Sequence, residues 1–215
     1  MSESITLADA APIAIDISKA VVAARDHLSE IDAATGDGDH GINMAKGFKL
    51  AIDRLSGKPF DLRQGFATIG DTLLGDIGGS MGPLYGSLFT EMADTLDGKE
   101  AIDRDGFTAM LRAAEAAIVD LGAAKVGDKT LIDVLTPSRE AYEKAVGENK
   151  DFAGALTAMR DAAAAGLEST RDMVAKLGRA SRLGERSRGV LDAGAASCEL
   201  ILRTLADGLL ARLAA

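Results

Sequence analysis

The sequence predicts an all-α fold, a bundle of eight helices, and three observations carry that prediction. Apolar residues recur at three- and four-residue steps along most of the chain, the spacing of one helical face. No segment alternates apolar and polar residues long enough to read as a strand. Aromatic residues are only 4% of the chain and Trp is absent, so the core must be built from Ala, Leu, Ile, Val and Met. Ala and Leu keep most of their freedom in a helix, and their abundance favours that state.

The elements follow in order. Ile13, Ile17, Ala20, Val21, Ala24, Leu28 and Ile31 form one apolar stripe and mark the first helix. A second covers 42–55 and stops at the breaker cluster Ser56-Gly57-Lys58-Pro59. Asp61 opens a third, with Leu62, Phe66, Ile69, Leu73 and Leu74 on its inner side. Gly78-Gly79-Ser80-Met81-Gly82-Pro83 interrupts, and a fourth helix runs from Leu84 to Leu96. Asp103 or Asp105 caps a fifth that ends at Leu121. The sixth, from Thr130 to about Val146, carries Pro137, which kinks it or marks its first turns. Residues 151–177 read as one long Ala-rich helix and 194–214 as the last. Connections are short, as in a helical bundle. With no linker-like stretch, repeat or low-complexity tail, residues 1–215 read as a single domain.

Charge and composition exclude several functions. A net charge of -9 argues against nucleic acid, whose binding needs a basic face to displace counterions, and against an anionic membrane surface. No apolar run is long enough to span a membrane. The start Met-Ser-Glu-Ser-Ile-Thr is acidic and lacks the regions of a signal peptide. The single Cys198 excludes an internal disulfide and suits a reducing compartment, so the expected location is the cytoplasm.

Of the 24 glycines, many gather at helix junctions: 36, 38 and 41; 75, 78, 79 and 82; 122 and 127; 178, 184, 189 and 194. Part of this is expected, because glycine ends helices at little cost. These junctions also carry Asp, Ser, Thr or Arg. If alternate junctions lie at one end of an up-down bundle, they converge on one site, where glycine lets backbone N–H groups approach a phosphate.

Asp32, Asp37 and Asp39 stand in Ile-Asp-Ala-Ala-Thr-Gly-Asp-Gly-Asp-His-Gly. On an unbroken helix Asp37 would point about 140° away from Asp32. Gly36 and Gly38 break the helix, so Asp32 belongs at a helix end with the other two on a loop curling back over it. Three carboxylates held that close repel one another unless a cation sits between them. Mg²⁺ is the natural cation, taking hard oxygen ligands and completing its shell with water and phosphate. An EF-hand fits poorly, for want of alternate ligand positions and a closing Glu. Taken singly, each aspartate is more simply a cap or turn former. His40 alone reads as a loop residue, and His27 lies on a helix flank.

Five ordered segments carry a wider resemblance. They are Asp-Ala-Ala-Thr-Gly-Asp-Gly-Asp-His-Gly-Ile-Asn (32–43), Gly-Gly-Ser-Met-Gly-Pro-Leu-Tyr-Gly (78–86), Gly-Asp-Lys-Thr-Leu-Ile-Asp-Val (127–134), Gly-Arg-Ala-Ser-Arg-Leu-Gly-Glu-Arg-Ser (178–187) and Asp-Ala-Gly-Ala-Ala-Ser (192–197). With them the chain resembles, over nearly its whole length, the L subunit of dihydroxyacetone kinase, the nucleotide-binding half of that enzyme. The resemblance implies an antiparallel, barrel-like bundle of eight helices with the nucleotide, ADP or ATP, at one end. It makes Asp32, Asp37 and Asp39 the ligands of two Mg²⁺ and lays His40 and Asn43 against the nucleotide. Gly79, Ser80, Met81 and Gly82 match the turn that cradles phosphate. Gly122, Thr130 and Leu131 match positions flanking base and ribose. Arg179 matches the nucleotide-contacting arginine and would stabilise charge as the bond breaks; Asp192, Ala193 and Gly194 match the turn that closes over the site.

The resemblance also implies a partner. In this family a K subunit holds the ketose covalently through a histidine, so the chain is expected to be inactive on sugar by itself. Two donors are open: a phosphotransferase-system protein recharging a permanently bound ADP, or exchangeable ATP with a ketose such as erythrulose as acceptor. A homodimer is also open to it. Three positions depart from the family's habit: Met81 replaces a small hydroxyl residue, Ala193 a proline and Arg182 an aromatic. Two other readings use the same motifs: a nucleotide-sensing module docking on a transcription factor, and the nucleotide domain of a fatty-acid kinase.

Overall fold

The computed structural model describes residues 4–122 and 124–214. Its helices are α1 (Leu7–Ala10), α2 (Pro12–Ala23), α3 (Arg25–Ala33), α4 (His40–Leu55), α5 (Leu62–Asp76), α6 (Met81–Asp94), α7 (Arg104–Gly122), α8 (Ile132–Gly147), α9 (Phe152–Ser169) and α10 (Ala193–Leu213). Two 3-10 stretches, Thr170–Asp172 and Ala180–Ser187, lie between α9 and α10. The all-α expectation holds. The predicted eight helices correspond to α4 through α10 plus the α2–α3 path, with α1 an added single turn.

The helices form a ring closed in chain order. α2 and α3 pack on α4, each later helix packs on the next, and α10 returns to pack on α2. The path is up and down, so α4, α6, α8 and α10 all begin at the same end. Two aromatic clusters stiffen opposite sides of an otherwise aliphatic core. Phe89 of α6 meets Phe48 of α4 at 5.7 Å and Phe66 of α5 at 5.5 Å, both edge-on. Phe107, Tyr142 and Phe152 join α7, α8 and α9. Edge-to-face rings at such distances add stability beyond the area they bury.

Caps fix several boundaries. Asp61 and Gln64 form a reciprocal capping box at α5. Asp103, not Asp105, caps α7: its carboxylate accepts the Gly106 N–H at 2.7 Å. Asp151 and Asp192 cap α9 and α10 in the same way. Pro137 lies inside α8, leaving the Asp133 carbonyl without its usual partner.

The structure corrects four expectations. Strands β1 (Ser4–Thr6) and β2 (Ala101–Asp103) pair antiparallel, Ile5 opposite Ile102, where none was predicted; three residues are too few to show an alternating pattern. The first predicted helix is two, turning at Ala24, where ψ is 3°. The fourth begins at Met81, earlier than expected. The long helix over 151–177 ends at Ser169. No helix among the described residues is long and apolar enough to cross a membrane.

Candidate functional site

A cavity of about 640 Å³ opens at the end of the ring where α4, α6, α8 and α10 begin. Its lining comes from four alternate junctions: α3–α4, α5–α6, α7–α8 and α9–α10. Helix N-termini present unpaired N–H groups and a partial positive charge, so this end of the ring favours an anion.

The first junction carries the aspartates. Asp32 lies in the last turn of α3, and its carbonyl accepts the N–H groups of Thr35 and Gly36, which starts the reversal. Gly38, with φ of 76°, continues it, and Asp39 precedes α4. The chain folds back tightly: the backbone N–H of His40 reaches Asp32 Oδ2 at 3.3 Å. Gly41 sits so close to α3 that a Cβ there would lie 2.0 Å from the Arg25 carbonyl oxygen. One carboxylate oxygen each from Asp32, Asp37 and Asp39 lies within 4.8 Å of the others. Three hard oxygen donors at that spacing suit a small divalent cation. The guanidinium of Arg179 meets the same cluster, pairing with Asp37 and standing 4.0 Å from Asp39 Oδ2.

The second junction contributes Gly78, Gly79, Ser80 and Met81. Ser80 makes no side-chain cap to α6, so the first N–H groups of that helix have no partner in its hydroxyl. Gly82 does not line the cavity, contrary to expectation. It is buried where α5 and α6 meet, and a Cβ would fall 2.0 Å from the Ile77 carbonyl oxygen, so its role is close packing. Met81 is nearly buried at the cavity wall. The third junction brings Gly122, Thr130 and Leu131, with Ile118 and Ile132 making this wall apolar. The fourth brings Arg179 from the 3-10 region and Asp192, Ala193 and Gly194 from the start of α10. Asn43 lines the first wall beside His40, whereas Arg182 is exposed and outside the cavity.

Beneath the cavity lies a buried polar chain. His40 Nε2 is 2.9 Å from Ser197 Oγ, which is 2.6 Å from the Tyr85 hydroxyl, and Tyr85 donates to the Gly194 carbonyl at 2.9 Å. Burial lowers the His40 pKa to about 4 against the opposing pull of Asp32, so the ring is neutral at physiological pH. Burial also pushes the Tyr85 hydroxyl well above its ordinary range. Asp192 is raised to about 6, again by burial, with the Ala195 N–H and Lys129 opposing. Lys129 is lowered, chiefly by burial.

Apart from Gly82, every predicted site residue lines this one cavity. Tyr85, Lys129 and Leu177 also line it and were not singled out from the sequence. The motifs spanned Tyr85, Lys129 and Ser197, but nothing in the sequence told their burial.

Fold and site define an all-helical phosphotransferase-type domain, a closed ring with its working cavity at one end. The chain belongs to the DAK2 domain family, whose sequence pattern matches residues 34–207. It is 36% identical over 197 residues to the "PEP-dependent dihydroxyacetone kinase 2, ADP-binding subunit DhaL" of Listeria innocua, covering 90% of this chain and 91% of that one. It is also 36% identical to the D-erythrulose kinase of Mycolicibacterium smegmatis, over 89% of this chain and 33% of the kinase. Among solved structures, the dihydroxyacetone kinase of C. freundii in complex with AMP-PNP and Mg²⁺ superposes with a TM-score of 0.66 at 27% identity. That match covers 91% of this chain, which spans about a third (33%) of the solved one.

Proposed function

We propose that residues 1–215 act as one cytoplasmic nucleotide-binding domain, the ADP- or ATP-holding subunit of a two-component kinase for dihydroxyacetone or a related ketose. The observation that carries this reading is the meeting of four alternate junctions at one mouth, three carboxylates on one side and glycine-lined helix N-termini on the other. Asp32, Asp37 and Asp39 would hold two Mg²⁺, which when bound neutralise phosphate charge and orient the terminal phosphoryl group. The chain's own groups do the rest. The N–H groups at Gly79 to Met81 would bind phosphate oxygens, and the apolar wall at Ile118, Leu131 and Ile132 would take the base. Arg179, already against Asp37, would stabilise charge on the transferring group.

The acceptor sugar would come from a separate K subunit. Neither histidine here offers a covalent sugar site: His27 is exposed and off the cavity, and the His40 ring is buried against Ser197. The rim favours a docked partner. Ile42, Leu74, Val119, Leu121, Val126 and Leu177 are the exposed large apolar side chains among the described residues. Each lines the cavity or lies beside, or a turn from, a residue that does.

Mass spectrometry of the purified chain, followed by assay with ATP, a K subunit and ketoses, tests the reading and decides the donor. Retained ADP that resists exchange identifies a phosphotransferase-system protein as donor; rapid turnover of ATP identifies ATP. Asp37→Asn is expected to abolish Mg²⁺-dependent nucleotide binding, and unchanged binding by calorimetry would sink the proposal.

A further inference from the structure

We propose that Lys129 is a positioning residue for this reaction: it fastens the neck of segment 173–187 and so sets where Arg179 stands. The inference rests on the reading of Arg179 given above, but the clamp can be measured without it.

A lysine lining a phosphate-binding cavity would ordinarily be taken for a phosphate ligand. This one is already saturated. The residue is 1% exposed, and Nζ donates to the carbonyls of Ser187 and Val190 at 2.6 Å and of Thr170 at 2.9 Å, with the Met173 carbonyl at 3.3 Å. An ammonium has three protons, and the three shorter contacts account for them. Burying an unpaired ammonium costs several kcal/mol, so carbonyls must surround it closely.

The acceptors are what give the contact meaning. Thr170 and Met173 stand where the chain leaves α9; Ser187 and Val190 stand where it returns toward α10. One ammonium thus joins both ends of the excursion that carries Arg179. Around it the neck is reinforced: Ser187 Oγ accepts the Ala175 N–H at 2.9 Å, and Gly189 N–H donates to the Arg171 carbonyl at 2.8 Å. Lys176 pairs with Asp128 at 3.3 Å. Toward the tip, Ser181 Oγ donates to the Gly178 carbonyl and the Arg182 N–H to the Arg179 carbonyl, both within the segment, while Arg179 reaches across to the aspartates.

Lys129 is itself held in place. Its φ is 61°, a left-handed conformation that costs a side-chain-bearing residue energy. The buried Asp133 pins the turn on both sides, accepting the Gly127 N–H at 2.6 Å and the Thr130 N–H at 2.7 Å. A strained backbone holding a buried ammonium on four carbonyls is an anchor built to stay put.

The test uses Lys129→Met and Lys129→Gln in the full chain. Without any ligand, trypsin should cut after Lys176, Arg179, Arg182 or Arg186 at least about tenfold faster than in the parent, while thermal melting stays cooperative. With nucleotide, K subunit and dihydroxyacetone, kcat should fall on the order of a hundredfold with nucleotide KM little changed. In an Arg179→Ala background the same substitution should cost no more than about twofold, because its effect passes through Arg179. Unchanged cleavage overturns the clamp. An equal kcat loss with and without Arg179 overturns the positioning role. Collapse of the whole fold by both substitutions overturns both, since a neck clamp leaves the helical ring standing. The trypsin arm needs no kinase activity, so failure of the kinase reading shows separately.

Discussion

Asp192 caps α10, accepting the Ala195 N–H at 2.8 Å, yet its carboxyl is pushed up to about 6 by burial. The sign of its effect follows. A folded-state pKa above the ordinary 3.8 means that the folded protein binds the proton more tightly, so stability is fullest at low pH and is lost as pH rises from about 4 to 6. At neutral pH the ionised group costs at most about 3 kcal/mol. Asn caps a helix as well as Asp does. Asp192→Asn should therefore raise the melting temperature at pH 7 and leave it unchanged at pH 4, measured without nucleotide or metal. His40, lowered to about 4, titrates over an overlapping range with opposite sign, but it is common to both proteins and cancels in the difference. At this scale the acidic cluster was legible in the sequence, because Asp32, Asp37 and Asp39 are close in the chain and broken by glycine. The polar chain beneath it was not: His40 and Ser197 lie in contact although 157 residues apart, and no local pattern carries such a pairing.

Helices were legible wherever a stop signal is local, and misread where tertiary contact overrides propensity. Nothing in residues 170–177 breaks a helix, yet α9 ends at Ser169. There the chain tightens into a 3-10 turn, the Met173 N–H reaching the Thr170 carbonyl at 3.2 Å, and the Lys129 ammonium holds both the Thr170 and Met173 carbonyls. The bend at Ala24 is equally silent, since alanine is the best helix former; beyond it the Arg25 carbonyl faces Gly41 of α4. The junction between α5 and α6 gives the element-scale prediction. Gly82→Ala would force a Cβ against the Ile77 carbonyl and push the start of α6 away. We expect a loss of about 1–3 kcal/mol in a denaturant titration, as for overpacking elsewhere. Nucleotide affinity should fall with it, because Gly78 to Ser80 move with the helix. A variant with parental stability and weakened binding would show instead that Gly82 itself touches ligand.

Across the whole molecule, the ring places half of its junctions around one mouth and the other half at the far end. Binding at the mouth should tie together segments distant in sequence. Hydrogen exchange is expected to slow at the first turns of α4, α6, α8 and α10 when ADP and Mg²⁺ are added. The far-end turns near residues 56–60, 95–100 and 148–151 should exchange as before. Protection confined to residues 32–43 would mean that the other junctions take no part. Family, fold class and the junctions bearing the site could all be read from the chain, because glycine and aspartate mark junctions directly. The closing of the ring came through the family resemblance alone, since the contact between α10 and α2 leaves no mark on either helix.

That contact governs how the protein comes together. The other main interfaces of the ring join helices adjacent in the chain or, for α2 on α4, one short helix apart, at the entropic cost of a short connection. The seam joins the first long helix to the last, over nearly the whole chain, and so weighs most on the rate of folding. The cavity straddles it, with Asp32 at the end of α3 on one side and Asp192 at the start of α10 on the other. A chain still emerging from its ribosome can therefore stack most of its helices, but it has no mouth until α10 docks. Nucleotide held at the mouth as proposed would bind only the finished ring, and by mass action would hold the seam shut.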